Sequence, residues 1–509
     1  MTRWDRPDQR RRWGRVTAAA AAVTAASLAA TGAAGAAGSP GAGGIGDPYY
    51  PAYGNGGYDA THYNLVVDYA PGSGRVMGTA IITAKATQDL TSFNLDLVLR
   101  ATSVTLNGRS VAFAKPSTHE LVVKPGYTIK NGSTMVVKVT YSGIPSRITD
   151  NGRSPWIGSG REVVALGEPE IAAWWFPSND HPRDKATYAM TFTVPKGLEA
   201  IGPGDFVGHT SQATKEIWRW KSDRPMATYL AFMAIGEFEV IRGTRNNRPF
   251  TTAITTTRRD AAVARGRADV LRTPAVVNWA ARHFGPYPFR ETGGVIANQS
   301  TGFALENQQR PVYTADFWDS GPNMYVVAHE IAHQWYGDSV SVRNWRDIWL
   351  NEGFATYAEF LWSEDHGEGT TNEILEWYYS AMQPVEPFWR TPISNPGAGN
   401  EFAAAVYLRG GMTLAALRNL VGDATLTRIL RTWASVKKDK NGSTPEFIAL
   451  AERIAGRDLD SFFRTWLTTP SVPAHTPENG FLPTRLSADE PASTDRIRQN
   501  AEALATRAR

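Results

Sequence analysis

From about Tyr49 to Gly243 apolar and polar positions alternate in short runs, HYNLVVDY, GTAIITAKA, SVTLNG, TMVVKVTYSG, YAMTFTVP and TYLAFMAIGEFEV. A period of two, punctuated by Gly, Pro and Asn, predicts strands joined by turns, and so an all-β sandwich or saddle over residues 48–243. Beyond Thr244 the period lengthens. PAVVNWAARHFG, NMYVVAHEIAHQWYG, DIWLNEGFATYAEFLWSEDHG, MTLAALRNLVG and TPEFIALAERIAG each run for several helical turns and end at Gly, the residue that most readily takes the left-handed C-cap conformation. A mainly helical domain is therefore expected over 244–474, with one helix at 323–336. Residues 475–509 are polar, Pro-containing and alternately charged, and read as a disordered tail with room for one short helix. There is no internal repeat.

The N-terminus changes how the charge is read. MTRWDRPDQRRRWGR is followed by VTAAAAAVTAASLAATGAAGAAG, a basic segment and then an Ala-rich run ending in small residues, which is the layout of a secretory signal peptide over 1–38, with cleavage near Ala37. The run lacks a Leu-rich block, so it is a poor membrane anchor. The Arg10-Arg11-Arg12 run leaves the export route open between the general and twin-arginine systems. Residues 39–47 follow as a linker. Residues 1–38 hold six Arg and two Asp, so 53 basic and 49 acidic residues become 47 of each without them. A near-neutral mature chain gives no reason to expect nucleic acid or a membrane surface as partner. There is no Cys, which excludes thiol catalysis, thiolate metal sites and disulfides. Any metal must be held by His and carboxylate.

VVAHEIAHQWYGD, residues 326–338, offers such a site. His329 and His333 stand at i and i+4 of the expected helix, so their rings leave one face about a turn apart. Zinc suits two imidazoles, and a catalytic zinc takes three protein ligands and keeps one position open. Glu352, in WLNEGFATYAE on the next amphipathic helix, is the natural third ligand, giving one zinc ion per chain. Glu330 cannot reach the ion from the same direction as His329. It can reach a water there, as general base. Glu359, two turns after Glu352, is a candidate to orient a ligand from behind, or else an exposed ion-pairing residue.

The His329-Glu330-x-x-His333 and Glu352 constellation, with NEGFA around the last ligand, resembles the gluzincin metallopeptidases of the M1 aminopeptidase family, relatives of aminopeptidase N and leukotriene A4 hydrolase. THYNLVVDY, SFNLDL, RPMATYLAFMAIGEFE and YPFRETGGV extend the resemblance over most of the mature chain. It implies an α+β multidomain fold, a β saddle followed by a thermolysin-like, mainly helical metallopeptidase domain. It also implies a short, secreted, bacterial-type form without the large C-terminal helical domain of longer members. FALEN, residues 303–307, resembles the family's Gly-x-Met-x-Asn motif. This nominates Ala304 and Asn307 for substrate binding and Glu306 for gripping a free α-amine, although Phe303 and Leu305 depart from the pattern. GEPEIAAWWFPSNDHP resembles the Glu-Pro-x-x-Ala-Arg segment and the run after it, which makes Glu168 the second amine-binding carboxylate. There Ala173, Ser178 and His181 replace Arg, Cys and Glu. AVYLRGG resembles Val-Tyr-x-Lys-Gly and nominates Tyr407 as donor to the oxyanion, with Arg409 where Lys is common.

The activity implied is a secreted zinc aminopeptidase acting on peptides and aminoacyl amides with a free N-terminus, with no nucleic-acid partner and no stable membrane association after signal cleavage. Two rivals remain, a thermolysin-like endopeptidase and a non-catalytic binding protein that keeps the fold. The preferred first residue and the oligomeric state are not legible.

Overall fold

The protein is described here from a computed structural model covering residues 38–483 and 489–505. Apart from Gly38, the expected signal peptide lies outside the described residues. Strand Tyr58–Ala70 illustrates how alternation builds the β part. Tyr58 and Ala60 face the core, and then Tyr63, Leu65, Val67 and Tyr69 do. The phase changes where the register against Arg75–Ala86 slips, between Ala60 and His62. A bulge there inserts one residue and lets both halves keep their apolar side chains inside.

This strand lies inside an eight-stranded sheet, parallel to Ala186–Pro195 on one side and antiparallel to Arg75–Ala86 on the other. Two four-stranded sheets complete the β part. One runs, in spatial order, Ser39–Pro40, Leu90–Asp96, Glu120–Lys124, Ala112–Ala114; the other runs Trp156–Ser159, Glu162–Ala165, Met233–Gly236, Glu199–Ile201.

Three expected boundaries are corrected. Residues 39–47 are not a free linker, because Ser39–Pro40 pairs with Leu90–Asp96 and the segment ends on Asp47, which is buried. The division at 243/244 would cut a hairpin. Phe238–Arg245 pairs with Arg248–Thr255 across Asn246 and Asn247 at φ 53 and 59, the left-handed pair a two-residue hairpin turn requires. That hairpin shares a sheet with Thr292–Ala297 and Val312–Thr314, so it belongs with the second domain. Finally, the described part of residues 475–509 holds the one short helix expected there, but both it and the segment before it are packed down and not a disordered tail. Phe481 is buried, and helix Thr494–Leu504 buries Ile497, Ala501 and Leu504. Their spacing of four and three makes a narrow apolar stripe that the polar composition hides.

In the second domain, helices Ala261–Val270 and Thr273–Phe284 carry the chain from Arg248–Thr255 to the parallel strand Thr292–Ala297. Three further helices frame the centre: the histidine helix Met324–Ala332, the glutamate helix Trp349–His366 and the tyrosine helix Ala404–Val421. The histidine helix is shorter than the expected 323–336. Asn323 is its N-cap and His333 its C-cap; Gln334 N–H bonds back to the Ile331 carbonyl, so the last turn tightens before Gly337. The glutamate and tyrosine helices cross closely at Gly353 and Gly410, where a Cβ on Gly353 would stand 2.8 Å from the Gly410 Cα. No helix among the described residues is long and apolar enough to cross a membrane.

Candidate active site

His329 and His333 are both fully buried and lie on one side of the histidine helix, while Glu352 sits in the first turn of the glutamate helix packed against it. Nε2 of each histidine lies 3.3 Å from Glu352 Oε2. The far nitrogens fix the rings. His329 Nδ1 donates to Glu359 Oε1 at 2.9 Å and His333 Nδ1 donates to the Tyr336 carbonyl at 3.0 Å, which turns both Nε2 lone pairs inward. Glu359 is fully buried and holds the His329 ring from behind; it is not an exposed residue.

These residues fit a zinc ion. Bonds of about 2.0–2.2 Å from such donors place two tetrahedral donors roughly 3.4 Å apart, close to the 3.3 Å separations found. His333 Nε2 is buried and, although Glu352 Oε2 lies 3.3 Å away, makes no well-aligned hydrogen bond, an arrangement that suits a cation between the two atoms. Burial alone would lower both imidazole pKa values. Glu352 and Glu359 outweigh it at His329, and Glu306, Glu352 and Glu330 hold His333 at about 10. A cage that draws protons onto two buried imidazoles is one in which positive charge is favoured.

Glu330 and Glu306 complete the wall. Glu306, Glu330 and His333 present donor atoms within 4.8 Å of one another, although Glu306 comes from a different part of the chain. It is held there by Tyr229, whose hydroxyl donates to Glu306 Oε1 at 3.1 Å, and by Gln334, whose amide donates to the Glu306 carbonyl at 2.8 Å. Glu168 also acts on Tyr229: after burial, the charges of Glu306 and Glu168 raise that phenol's pKa most. Glu168 lines a cavity of about 260 Å³ together with Arg153, Glu170, Leu166 and Phe303.

The described chain resembles known proteins in the same two parts. Residues 59–230 match the model of the peptidase M1 N-terminal domain and residues 286–466 match the peptidase family M1 domain. The chain belongs to peptidase family M1. Its sequence is 23% identical over 435 residues to a leucyl aminopeptidase of Saccharolobus solfataricus, covering 81% of this chain and 53% of that one. It is 31% identical over 244 residues to aminopeptidase N of Canis lupus familiaris, covering 44% and 25%. The chain therefore spans about half the length, or less, of these curated relatives. Among solved structures, a mutant M1 zinc metallopeptidase from Deinococcus radiodurans bound to a Tyr-Ser-Ala substrate superposes with a TM-score of 0.75 at 27% identity, covering 84% of this chain and 99% of that one.

In this M1 chain, Tyr407 lies on the tyrosine helix with its ring stacked over His329, centroids 6.1 Å apart. Its hydroxyl donates to the Leu504 carbonyl at 3.4 Å, a long bond beside the usual O–H···O of about 2.7–2.8 Å. Arg409 points away from the centre. It clamps four carbonyls, those of Trp389, Thr391, Thr465 and Thr469, and burial lowers its pKa to about 10.

Residues 303–307 run along the sheet edge. Leu305 pairs with Val312 in both directions, N···O 2.9 and 2.8 Å, so by alternation the backbone groups of Ala304 point the other way. Asn307, expected among the substrate-binding residues, donates its amide to the Leu230 carbonyl at 3.0 Å and so braces the loop beside Tyr229. His181, in place of the family's Glu, donates from Nε2 to Asp47 and accepts the Arg183 N–H at Nδ1. Trp174 and Trp175 are fully buried core residues.

Tyr229 and Gln334 were not apparent from sequence. For Tyr229 no signal existed, since it sits in an apolar run. Gln334 left a faint one, as a polar residue between His333 and Trp335 in a segment that is otherwise buried.

Proposed function

We propose that this chain is an exported, zinc-dependent aminopeptidase that removes single N-terminal residues from peptides and aminoacyl amides. The observation that carries the reading is the convergence of two Nε2 atoms on one Glu352 oxygen at 3.3 Å, with the carboxylates of Glu330 and Glu306 against the same cluster. Zinc held by His329, His333 and Glu352 would polarise the scissile carbonyl and lower the pKa of a water to about 7.

The chain's own residues do the rest. Glu330 takes the proton of the attacking water and returns it to the departing amine. Tyr407 turns its O–H to the substrate oxygen as negative charge grows there. The outward edge of Ala304 offers a backbone N–H and C=O for an extended substrate to pair with. Glu306 and Glu168 receive the α-ammonium; two carboxylates in a largely buried pocket favour a charged terminus over an acylated one. This makes a hydrolytic zinc site an exopeptidase.

Export is supported by the basic, apolar and small-residue order of residues 1–38. Cleavage near Ala37 would leave the pairing of Ser39–Pro40 intact. N-terminal sequencing of the chain recovered from culture medium tests this directly.

The activity is tested with purified mature protein on a panel of aminoacyl amides, with and without a chelator, and on the same peptides after N-acetylation. Chelator-sensitive release of first residues from free-amine substrates is expected. Internal cleavage of N-acetylated peptides at equal rates would make the protein an endopeptidase, and stoichiometric zinc without hydrolysis would make it a binding protein.

A further inference from the structure

Helix Thr494–Leu504 lies beyond residue 466, where the family match ends, yet it reaches the metal cluster through one side chain. Asn500 is buried, and its Nδ2 donates to Glu359 Oε2 at 2.8 Å. The other oxygen of Glu359 accepts from His329 Nδ1 at 2.9 Å. Asn500 Oδ1 in turn accepts from Asn323 Nδ2 at 2.8 Å. Asn323 is the N-cap of the histidine helix, with its own Oδ1 accepting the Val326 N–H at 3.2 Å. One amide therefore touches both the residue that orients His329 and the residue that starts the helix carrying it.

We propose that Asn500 is a positioning residue of the metal centre. A carboxylate held at one oxygen can swing about its terminal torsion, whereas one held at both cannot, so the bond to Asn500 fixes the direction in which Glu359 presents its other oxygen to His329. A neutral amide suits this task. It satisfies the second oxygen without a charge that would draw Glu359 off the imidazole, as a Lys or Arg would. Docking of the helix does not require it, since Ile497, Ala501 and Leu504 already bury the apolar stripe. The inference rests on reading His329, His333 and Glu352 as zinc ligands.

The test measures zinc affinity of the mature chain by competition with a chromophoric chelator, together with the visible absorption of the cobalt-substituted protein and the melting temperature. Asn500→Ala should weaken zinc by about 10- to 100-fold, the range typical of removing a group behind a ligand, and should alter the cobalt spectrum. Asn500→Asp, nearly equal in volume, should weaken zinc similarly because it sets a carboxylate against Glu359. Ile497→Ala should lower the melting temperature and leave zinc affinity of the folded protein unchanged. Unaltered affinity in both Asn500 variants would overturn the inference, as would an equal loss in Ile497→Ala, which would reduce Asn500 to helix docking. Failure of the unmutated chain to bind zinc would overturn the reading of the centre itself, a result distinct from either.

Discussion

Glu330 and His329 are adjacent in the chain and are assigned different work, which makes them separable by substitution. Glu330→Gln removes a proton acceptor but no metal donor, so zinc content should stay near one per chain while kcat falls by at least about 10², the scale of general-base catalysis. Metal analysis beside a rate measurement checks this; loss of zinc in that variant would mean that Glu330 is a ligand. Glu306 is separable in another way. Glu306→Ala should lower kcat/KM for free-amine substrates by about one to two powers of ten, the worth of a charge-assisted hydrogen bond of roughly 1.5–3 kcal/mol, with zinc content unchanged. Acetylating the substrate removes the other side of the same contact, so the two losses should be strongly non-additive. At this scale the sequence spoke clearly wherever chemistry imposed a spacing, as for His329, His333 and Glu352. It was silent where a side chain serves by touching another, as for Tyr229 and Asn500, because no spacing rule links residues 77 or 141 positions from their partners.

Periodicity marked where elements exist better than where they end. The histidine helix stops at Ala332 because its last turn tightens, and the hairpin Phe238–Arg245 with Arg248–Thr255 belongs to the later sheet because pairing partners decide domain membership. The final helix is allowed for by sequence, but its docking is not legible because its apolar stripe is only a few residues wide. NEGFA points by sequence to its glutamate, yet its glycine has a packing role that only the structure reveals. Gly353 lets the glutamate helix meet the tyrosine helix at Gly410, and a Cβ there would stand 2.8 Å from one backbone carbon and 3.0 Å from the next. Neither helix can yield locally, since both atoms it meets are main chain. Gly353→Ala should therefore destabilise the protein by about 1–3 kcal/mol, the usual cost of overpacking. It should also lower kcat, because Glu352 and Tyr407 lie one and three residues from the two crossing points. Thermal melts and steady-state rates on the folded fraction check both halves; a variant as stable and active as the parent would show that the crossing has slack.

The segment from Ser39 to Gly57 ties the β part to the second domain, and Asp47 is its main knot. Asp47 accepts from His181 Nε2 at 3.1 Å on the β side and from the Trp345 N–H at 2.9 Å beside the glutamate helix. It also accepts the N–H groups of Tyr49 and Tyr50, at 2.8 and 3.2 Å, while the Tyr49 hydroxyl bonds Asn395 at 2.6 Å and the Gly397 N–H at 2.7 Å. Burial pushes the Asp47 pKa up, but the bonds from His181, Trp345 and Tyr49 outweigh it, and the net effect is a pKa lower than that of an ordinary Asp. A carboxylate with a depressed folded pKa stabilises the fold fully above its unfolded value and loses that contribution as pH falls through the folded one. Asp47→Asn removes the charge while preserving the shape, so at pH 7 it should cost about 1–3 kcal/mol, the difference between charged and neutral hydrogen bonding at a buried group. Urea unfolding should show the gap between parent and variant widening as pH falls through about 6.5, because without the Asp47 charge His181 is harder to protonate in the fold, and closing below about 4 as the Asp47 carboxyl itself protonates. If the domains depend on this knot to unfold together, the parent should give one transition and the variant two. A gap that stayed fully open below about pH 3 would assign the coupling to a group other than Asp47.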